Sequence, residues 1–205
     1  MRFKTLEQLI NNKLFAPVGH RYWFFQLLVW LETLSPEVPT CVLETGTNVG
    51  YGAYAWSLFF DEVHTVELDK ELYARAKTTY GHVENISFYN ETSTAFLSKI
   101  LPSREEPCII FLDAHGSGGD TTFDPEVGRY GSPILGELRA IKEHSARNDH
   151  IIVIDDLDDC DNLNTYPSKE EVRHALLDIN PNYHIELDFP RHLMLSRGTG
   201  LALEL

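Results

Sequence analysis

The sequence predicts a Rossmann-like α/β domain built on a mostly parallel sheet. Three observations lead there. Short β-branched or aromatic runs alternate with helix-length amphipathic segments through most of the chain. Two of the runs, CIIFLD (108–113) and IIVID (151–155), are apolar almost throughout, as expected of strands buried on both faces. Acids close the runs, at Glu44, Glu67, Asp113 and Asp155. Strands alternating with helices form βαβ units with right-handed crossovers, and ligands of such sheets bind beyond the carboxyl ends of the strands.

In chain order, 5–12 and 20–34 read as helices of an N-terminal extension covering 1–39, and 40–205 as the core of one domain. A strand at 40–44 leads through a glycine-bearing loop to a helix at about 50–60. Strand 63–68 and helix 70–80 follow, then strand 86–89 and a helix around 93–101. After strand 108–113, Ser132-Pro133 marks a helix start, with Ile134, Leu138 and Ile141 recurring at helical spacing. After strand 151–155, Ser168 to Glu171 fits a capping box ahead of Val172, Ala175 and Leu176. The tail offers two strand-like runs, 183–189 and 201–205, without an intervening helix. An antiparallel hairpin closing the sheet is the expectation.

Composition narrows the function. Seventeen basic against 31 acidic residues give a formal charge of −14, a field that repels polyphosphates. A nucleic-acid partner is not expected. Nor is a membrane, because no apolar run approaches the ~20 residues of a spanning helix. Cys41, Cys108 and Cys160 are odd in number and form no C-x-x-C, which suits free thiols in a cytoplasmic setting.

CVLETGTNVGYGAYAW (41–56) reads strand, tight loop, helix. Gly46 lets the backbone turn away from the strand, and Gly50 lets the loop approach a ligand. A second acid, Glu67, follows Glu44 at about the 20-residue spacing of a ribose-binding carboxylate, which can accept from two adjacent hydroxyls. A dinucleotide loop uses its middle glycine to admit a pyrophosphate. Here Glu44 stands two positions before Gly46; a carboxylate there opposes a pyrophosphate and suits the ammonium of S-adenosylmethionine. The plainer reading is a loop that merely turns the chain.

If the strands ending at Asp113 and Asp155 are neighbours, Asp113, Asp155 and Asp156 converge beside that loop. Clustered carboxylates repel one another unless a cation or protons neutralise them, and an oxygen-only set suits Mg²⁺. Such an ion lowers the pKa of a bound hydroxyl and fixes its oxygen. The alternatives are a helix cap or a solvated acid. His115 is a candidate general base or an ordinary loop histidine. The glycine-containing stretch from Gly116 to Ser132, about 17 residues, has the length of a lid or of a disordered surface loop.

ETGTNVG, VELDKELYARAK, FLDAHGSGG, SPILGELRAI and VIDD occur in that order. Over roughly 40–156 the set resembles class I S-adenosylmethionine-dependent O-methyltransferases, particularly the macrocin and sugar O-methyltransferase group. The resemblance implies a seven-stranded sheet of order 3-2-1-4-5-7-6. It also implies that Glu67 holds the ribose and that Glu44, Gly46, Thr47 and Gly50 surround the methionine part. Asp113 borders the cofactor and, with Asp155 and Asp156, matches the Mg²⁺ ligands of metal-dependent members. Where the family often has Gly-Asp-Ser near the adenine, this chain has Asn90-Glu91-Thr92-Ser93, leaving Thr92 and Ser93 as the adenine-side candidates.

The expectation is metal-assisted O-methylation of a small hydroxylated molecule, with Asp113 and His115 as the catalytic candidates. A homo-oligomer is compatible with it. Metal-dependent hydroxylation and a non-catalytic S-adenosylmethionine-binding module are the alternatives on the same fold. A nicotinamide oxidoreductase lacks a Tyr-x-x-x-Lys after a suitable strand.

Overall fold

The computed structural model describes residues 39–114, 131–155, 160, 166–186 and 200–204. The helices expected at 5–12 and 20–34, His115, Asp156 and nearly all of the glycine-containing loop lie outside the described residues. The elements are β1 (Cys41–Thr45), α1 (Tyr51–Ser57), β2 (Glu62–Val66), α2 (Lys70–Tyr80), β3 (Ile86–Tyr89), α3 (Ser93–Ile100), a 3₁₀ turn (Leu101–Ser103) and β4 (Ile109–Leu112). They continue with α4 (Ile134–His144), β5 (Ile151–Ile154), α5 (Lys169–Ile179), β6 (Tyr183–Glu186) and β7 (Gly200–Glu204).

The strands form one sheet of order β3-β2-β1-β4-β5-β7-β6. Strands β1 to β5 run parallel to one another, and β7 runs antiparallel to both β5 and β6. The connection between β6 and β7 lies outside the described residues. This is a Rossmann-like α/β fold with a parallel sheet, and the order reverses between β1 and β4.

Alternation along the strands divides the core in two. On one face Cys41, Leu43, Val66, Ile110, Leu112, Ile152 and Ile154 meet Phe96 and Leu97 of α3, Leu138 and Ile141 of α4, and Val172 and Leu176 of α5. On the other, Val42, Val63, Ile109, Phe111 and Val153 meet Ala53, Ala55 and Trp56 of α1. Each buried Leu- or Ile-sized side chain contributes roughly 1.5–3 kcal/mol, and β4 and β5 carry apolar residues at every position.

Local signals set the helix ends. Asp69 caps α2, its side chain accepting from the backbone N–H of Glu71 and Leu72. The capping box at α5 is present in both directions: Glu171 N–H donates to Ser168 Oγ at 3.2 Å and Ser168 N–H to Glu171 Oε2 at 2.8 Å. At α4 the helix begins at Ile134, whose N–H reaches Ser132 Oγ at 3.4 Å, and Pro133 sits one position ahead of the first turn. The strand ends also move slightly: β1 runs to Thr45 and β2 stops at Val66, so Glu67 stands just past its strand.

The amino-terminal edge of the sheet is closed by polar side chains. His150 Nδ1 accepts the Cys108 N–H at 3.0 Å, so Nε2 carries the hydrogen shared with Ser145 Oγ at 2.7 Å. Tyr183 donates its hydroxyl to the His150 carbonyl at 3.0 Å.

Candidate functional site

The carboxyl ends of β1, β2, β4 and β5 meet where the sheet order reverses. The loop after β1 turns through three left-handed residues, Gly46 (φ 86), Asn48 (φ 50) and Gly50 (φ 88). Gly46 and Thr47 both donate their N–H to the Val66 carbonyl at 3.0 Å, tying the loop to the end of β2. The N–H of Asn48 then points at Glu67 and donates to Oε2 at 2.7 Å, while Asp69 N–H donates to Oε1 at 2.9 Å. Glu67 is thus held in one orientation by two backbone donors, and each oxygen keeps acceptor capacity. Burial pushes its carboxyl above the ordinary range, against the pull of these hydrogen bonds. The turn behind it is braced by Asn90, whose Nδ2 donates to the carbonyls of Glu67 (2.7 Å) and Leu68 (3.1 Å).

Glu44 takes a different position from the one its place in the sequence suggests. Its carboxyl is buried, accepting from Thr65 Oγ1 at 2.6 Å and from Trp56 Nε1 at 3.1 Å. A Cβ at Gly52 would lie 2.3 Å from Glu44 Oε1, so a glycine is required for the carboxyl to fit beneath α1. Burial is the main cause that raises this carboxyl to about 8, with nearby Asp113 adding to it. Near neutral pH Glu44 is largely protonated and supplies little charge to a ligand ammonium. Thr47 Oγ1 lies 2.6 Å from Thr65 Oγ1, so hydroxyls connect the buried carboxyl to the loop.

The left-handed φ at Gly46 and Gly50 fits a loop that turns away from β1, and packing adds a further reason for glycine. A Cβ on Gly46 would fall 2.2 Å from the Asp113 carbonyl oxygen, and one on Gly50 would fall 2.8 Å from Tyr80 Cδ2. Close backbone approach is required, and the neighbours that demand it are β4 and α2.

Asp113 and Asp155 stand on adjacent strand ends. Asp113 N–H donates to the Thr45 carbonyl and to Thr45 Oγ1, both at 3.1 Å, and Asp155 N–H donates to the Leu112 carbonyl at 3.0 Å. Both are half-buried. The two strands are neighbours, which is the condition the sequence reading set, while Asp156 and His115 lie outside the described residues. Thr92 caps α3, accepting from Ala95 N–H at 3.3 Å, and Ser93 is buried in its first turn. Both sit beyond β3, two strands away from β1.

Thr65, Trp56, Asn48, Gly52 and Asn90 escaped the sequence reading. Asn48 carried a usable signal, because asparagine before Val49-Gly50 is a residue that tolerates a left-handed turn. Thr65 and Trp56 carried none, since each looks like an ordinary core position.

No protein-family model matches the chain, and no curated sequence matches it. Solved structures do. An O-methyltransferase from Bacillus cereus in complex with SAH aligns over 97% of this chain and 90% of its own, with a TM-score of 0.61 and 17% identity. TomG from Streptomyces achromogenes, an O-methyltransferase involved in tomaymycin synthesis and solved with SAM, aligns over 97% of this chain and 85% of its own, with a TM-score of 0.60 and 14% identity. The chain has the class I methyltransferase fold. Among the described residues no helix is long and apolar enough to cross a membrane.

Proposed function

We propose that the chain is an S-adenosylmethionine-dependent methyltransferase that transfers the methyl group to an oxygen of a small hydroxylated molecule. The observation that carries this reading is the fixed Glu67 carboxylate facing the left-handed loop after β1. Asn48 and Asp69 hold it by their backbone N–H groups, as a bidentate acceptor of a ribose diol must be held. The structural neighbours crystallised with SAM or SAH support the same cofactor.

In this reading Gly46, Thr47 and Gly50 shape the loop around the methionine part, and Glu44 holds the loop from beneath. Asp113 borders the reacting end, and Thr92 and Ser93 lie on the adenine side. S-adenosylmethionine supplies an activated methyl group; the chain's task is to position the acceptor oxygen in line and to keep water out. Asp113, Asp155 and Asp156 are the residues that would hold Mg²⁺, and such an ion would polarise the acceptor hydroxyl. Asp113 and Asp155 fit an oxygen-only set, being half-buried carboxylates on adjacent strand ends. His115 is the base if no metal is used. Macrocin-like acceptors, a cytoplasmic setting and a homo-oligomer complete the reading.

The test is calorimetric titration of S-adenosylhomocysteine, followed by transfer of labelled methyl to a library of hydroxylated small molecules. Binding by wild type that Glu67→Ala weakens at least tenfold supports the reading, and no binding by folded wild type overturns it.

A further inference from the structure

The opposite edge of the sheet holds a cluster of side chains able to ligate a metal ion. Cys41 opens β1, and Glu62 and His64 stand on β2. Cys41 pairs with Glu62 and Leu43 with His64, so strand alternation puts all three side chains on one face. One ligand atom from each (Sγ, a carboxylate oxygen and an imidazole nitrogen) lies within 4.8 Å of the other two. Cys41 and His64 are buried, and the Glu62 side chain is 46% exposed, which leaves a path from solvent.

The surroundings suit a ligand set. His64 Nδ1 lies 3.0 Å from the Tyr89 hydroxyl, and Nε2 lies 2.6 Å from Glu62 Oε1. Without a metal, Nε2–H donates to Glu62 Oε1; moving the imidazole hydrogen to Nδ1, toward the Tyr89 hydroxyl, would free the Nε2 lone pair for an ion, as in metal sites whose histidine is oriented from behind. Arg104 places a positive charge among the same donors: Nη1 donates to Glu62 Oε2 at 2.7 Å and to Cys41 Sγ at 3.6 Å. Its buried Nε has no hydrogen-bond partner, so the guanidinium is an incompletely satisfied occupant of this position.

We propose that Cys41, Glu62 and His64 form a Zn²⁺ site at the amino-terminal edge of the sheet, with Arg104 as the cation the metal displaces. Sulfur, imidazole nitrogen and carboxylate oxygen together favour Zn²⁺ over Mg²⁺. One thiolate and one carboxylate balance the divalent charge, so the guanidinium has no reason to stay. Three protein ligands leave the fourth tetrahedral position to water. Binding converts the Cys41 thiol to a thiolate and releases its proton to solvent. Because the ligand is the thiolate, metal uptake strengthens as pH rises. The ion would join β1 and β2 near their amino-terminal ends, about 17 Å along the strand from the cofactor loop. It does not depend on the methyltransferase reading.

The experiment is a Co²⁺ titration of the full chain under a non-thiol reductant, followed by displacement with Zn²⁺. The expected result is a sulfur-to-cobalt charge-transfer band that saturates at one equivalent and is abolished by Zn²⁺. Cys41→Ser should lose the band, His64→Gln should weaken binding at least tenfold, and Arg104→Gln should tighten it. Circular dichroism of each variant shows whether it is folded, and His64→Gln decides the matter if Cys41→Ser is not. Asp113→Asn should keep the band, which separates this site from the carboxylates at the other edge. Absence of a band in wild type, its survival in folded Cys41→Ser, or unchanged affinity in folded His64→Gln would overturn the proposal.

Discussion

The two edges of the sheet handle buried charge in opposite ways. At the amino-terminal edge Glu62 is matched by Arg104 at 2.7 Å, and both His64 and Arg104 hold it below the ordinary carboxylate range. At the carboxyl edge Glu44, Glu67 and Asp113 gather, and burial drives Glu44 and Glu67 upward. Among the described residues, the hydrogen bonds of Glu44 and Glu67 come from backbone N–H groups, a threonine and a tryptophan. One edge has its countercharge built into the chain. In the proposed reading the other receives a ligand that brings polar or positive groups.

Gly46→Val is the most drastic way to break the carboxyl edge. A β-branched residue at φ 86, with Cβ 2.2 Å from the Asp113 carbonyl, should cost roughly 3–5 kcal/mol through strain and overpacking. Reading the glycine as a ligand contact alone would leave the fold nearly intact. A urea melt distinguishes the two, and a midpoint equal to wild type would refute the packing account.

The buried carboxyl sharpens the comparison through pH. The folded chain holds Glu44 at about 8 against an ordinary value of 4.5, so between those values the folded state binds one proton more than the unfolded state. This group's contribution is fully present below about 4.5 and is lost as pH rises through about 8. The slope reaches at most about 1.4 kcal/mol per pH unit. Glu44→Gln should flatten it, and equal slopes in the two proteins would place the titration elsewhere.

Glu67→Ala should weaken S-adenosylhomocysteine binding by about 1–3 kcal/mol, the usual loss for hydrogen bonds to a charged group. Glu62→Ala, at the other edge, should leave that affinity unchanged while lowering the melting temperature. Equal effects of the two on affinity would erase the functional distinction between the edges. The smallest expected change is at the α5 capping box, where Glu171→Ala should slightly lower the midpoint of a denaturant melt and alter no binding.

By itself the sequence determined the βαβ alternation, the buried central strands and the acids at their carboxyl ends. These follow from short-range physics: apolar runs must be covered on both faces, and caps such as Ser168-Glu171 act within four residues. It also located Glu67, because the spacing between the two acids reflects one strand, one loop and one helix. Tertiary structure alone decided what each acid does. Glu44 and Glu67 look equivalent along the chain, yet Glu44 alternates into the layer under α1, where Trp56 and Thr65 take both its oxygens. Glu67, just past its strand, stays half-buried at the edge. Likewise Cys41, Glu62 and His64 form no motif, since 20 residues separate Cys41 from the β2 pair that parallel register sets beside it. Contacts across a sheet depend on register and strand order, which are global properties, so no local reading of the sequence could have assembled that group.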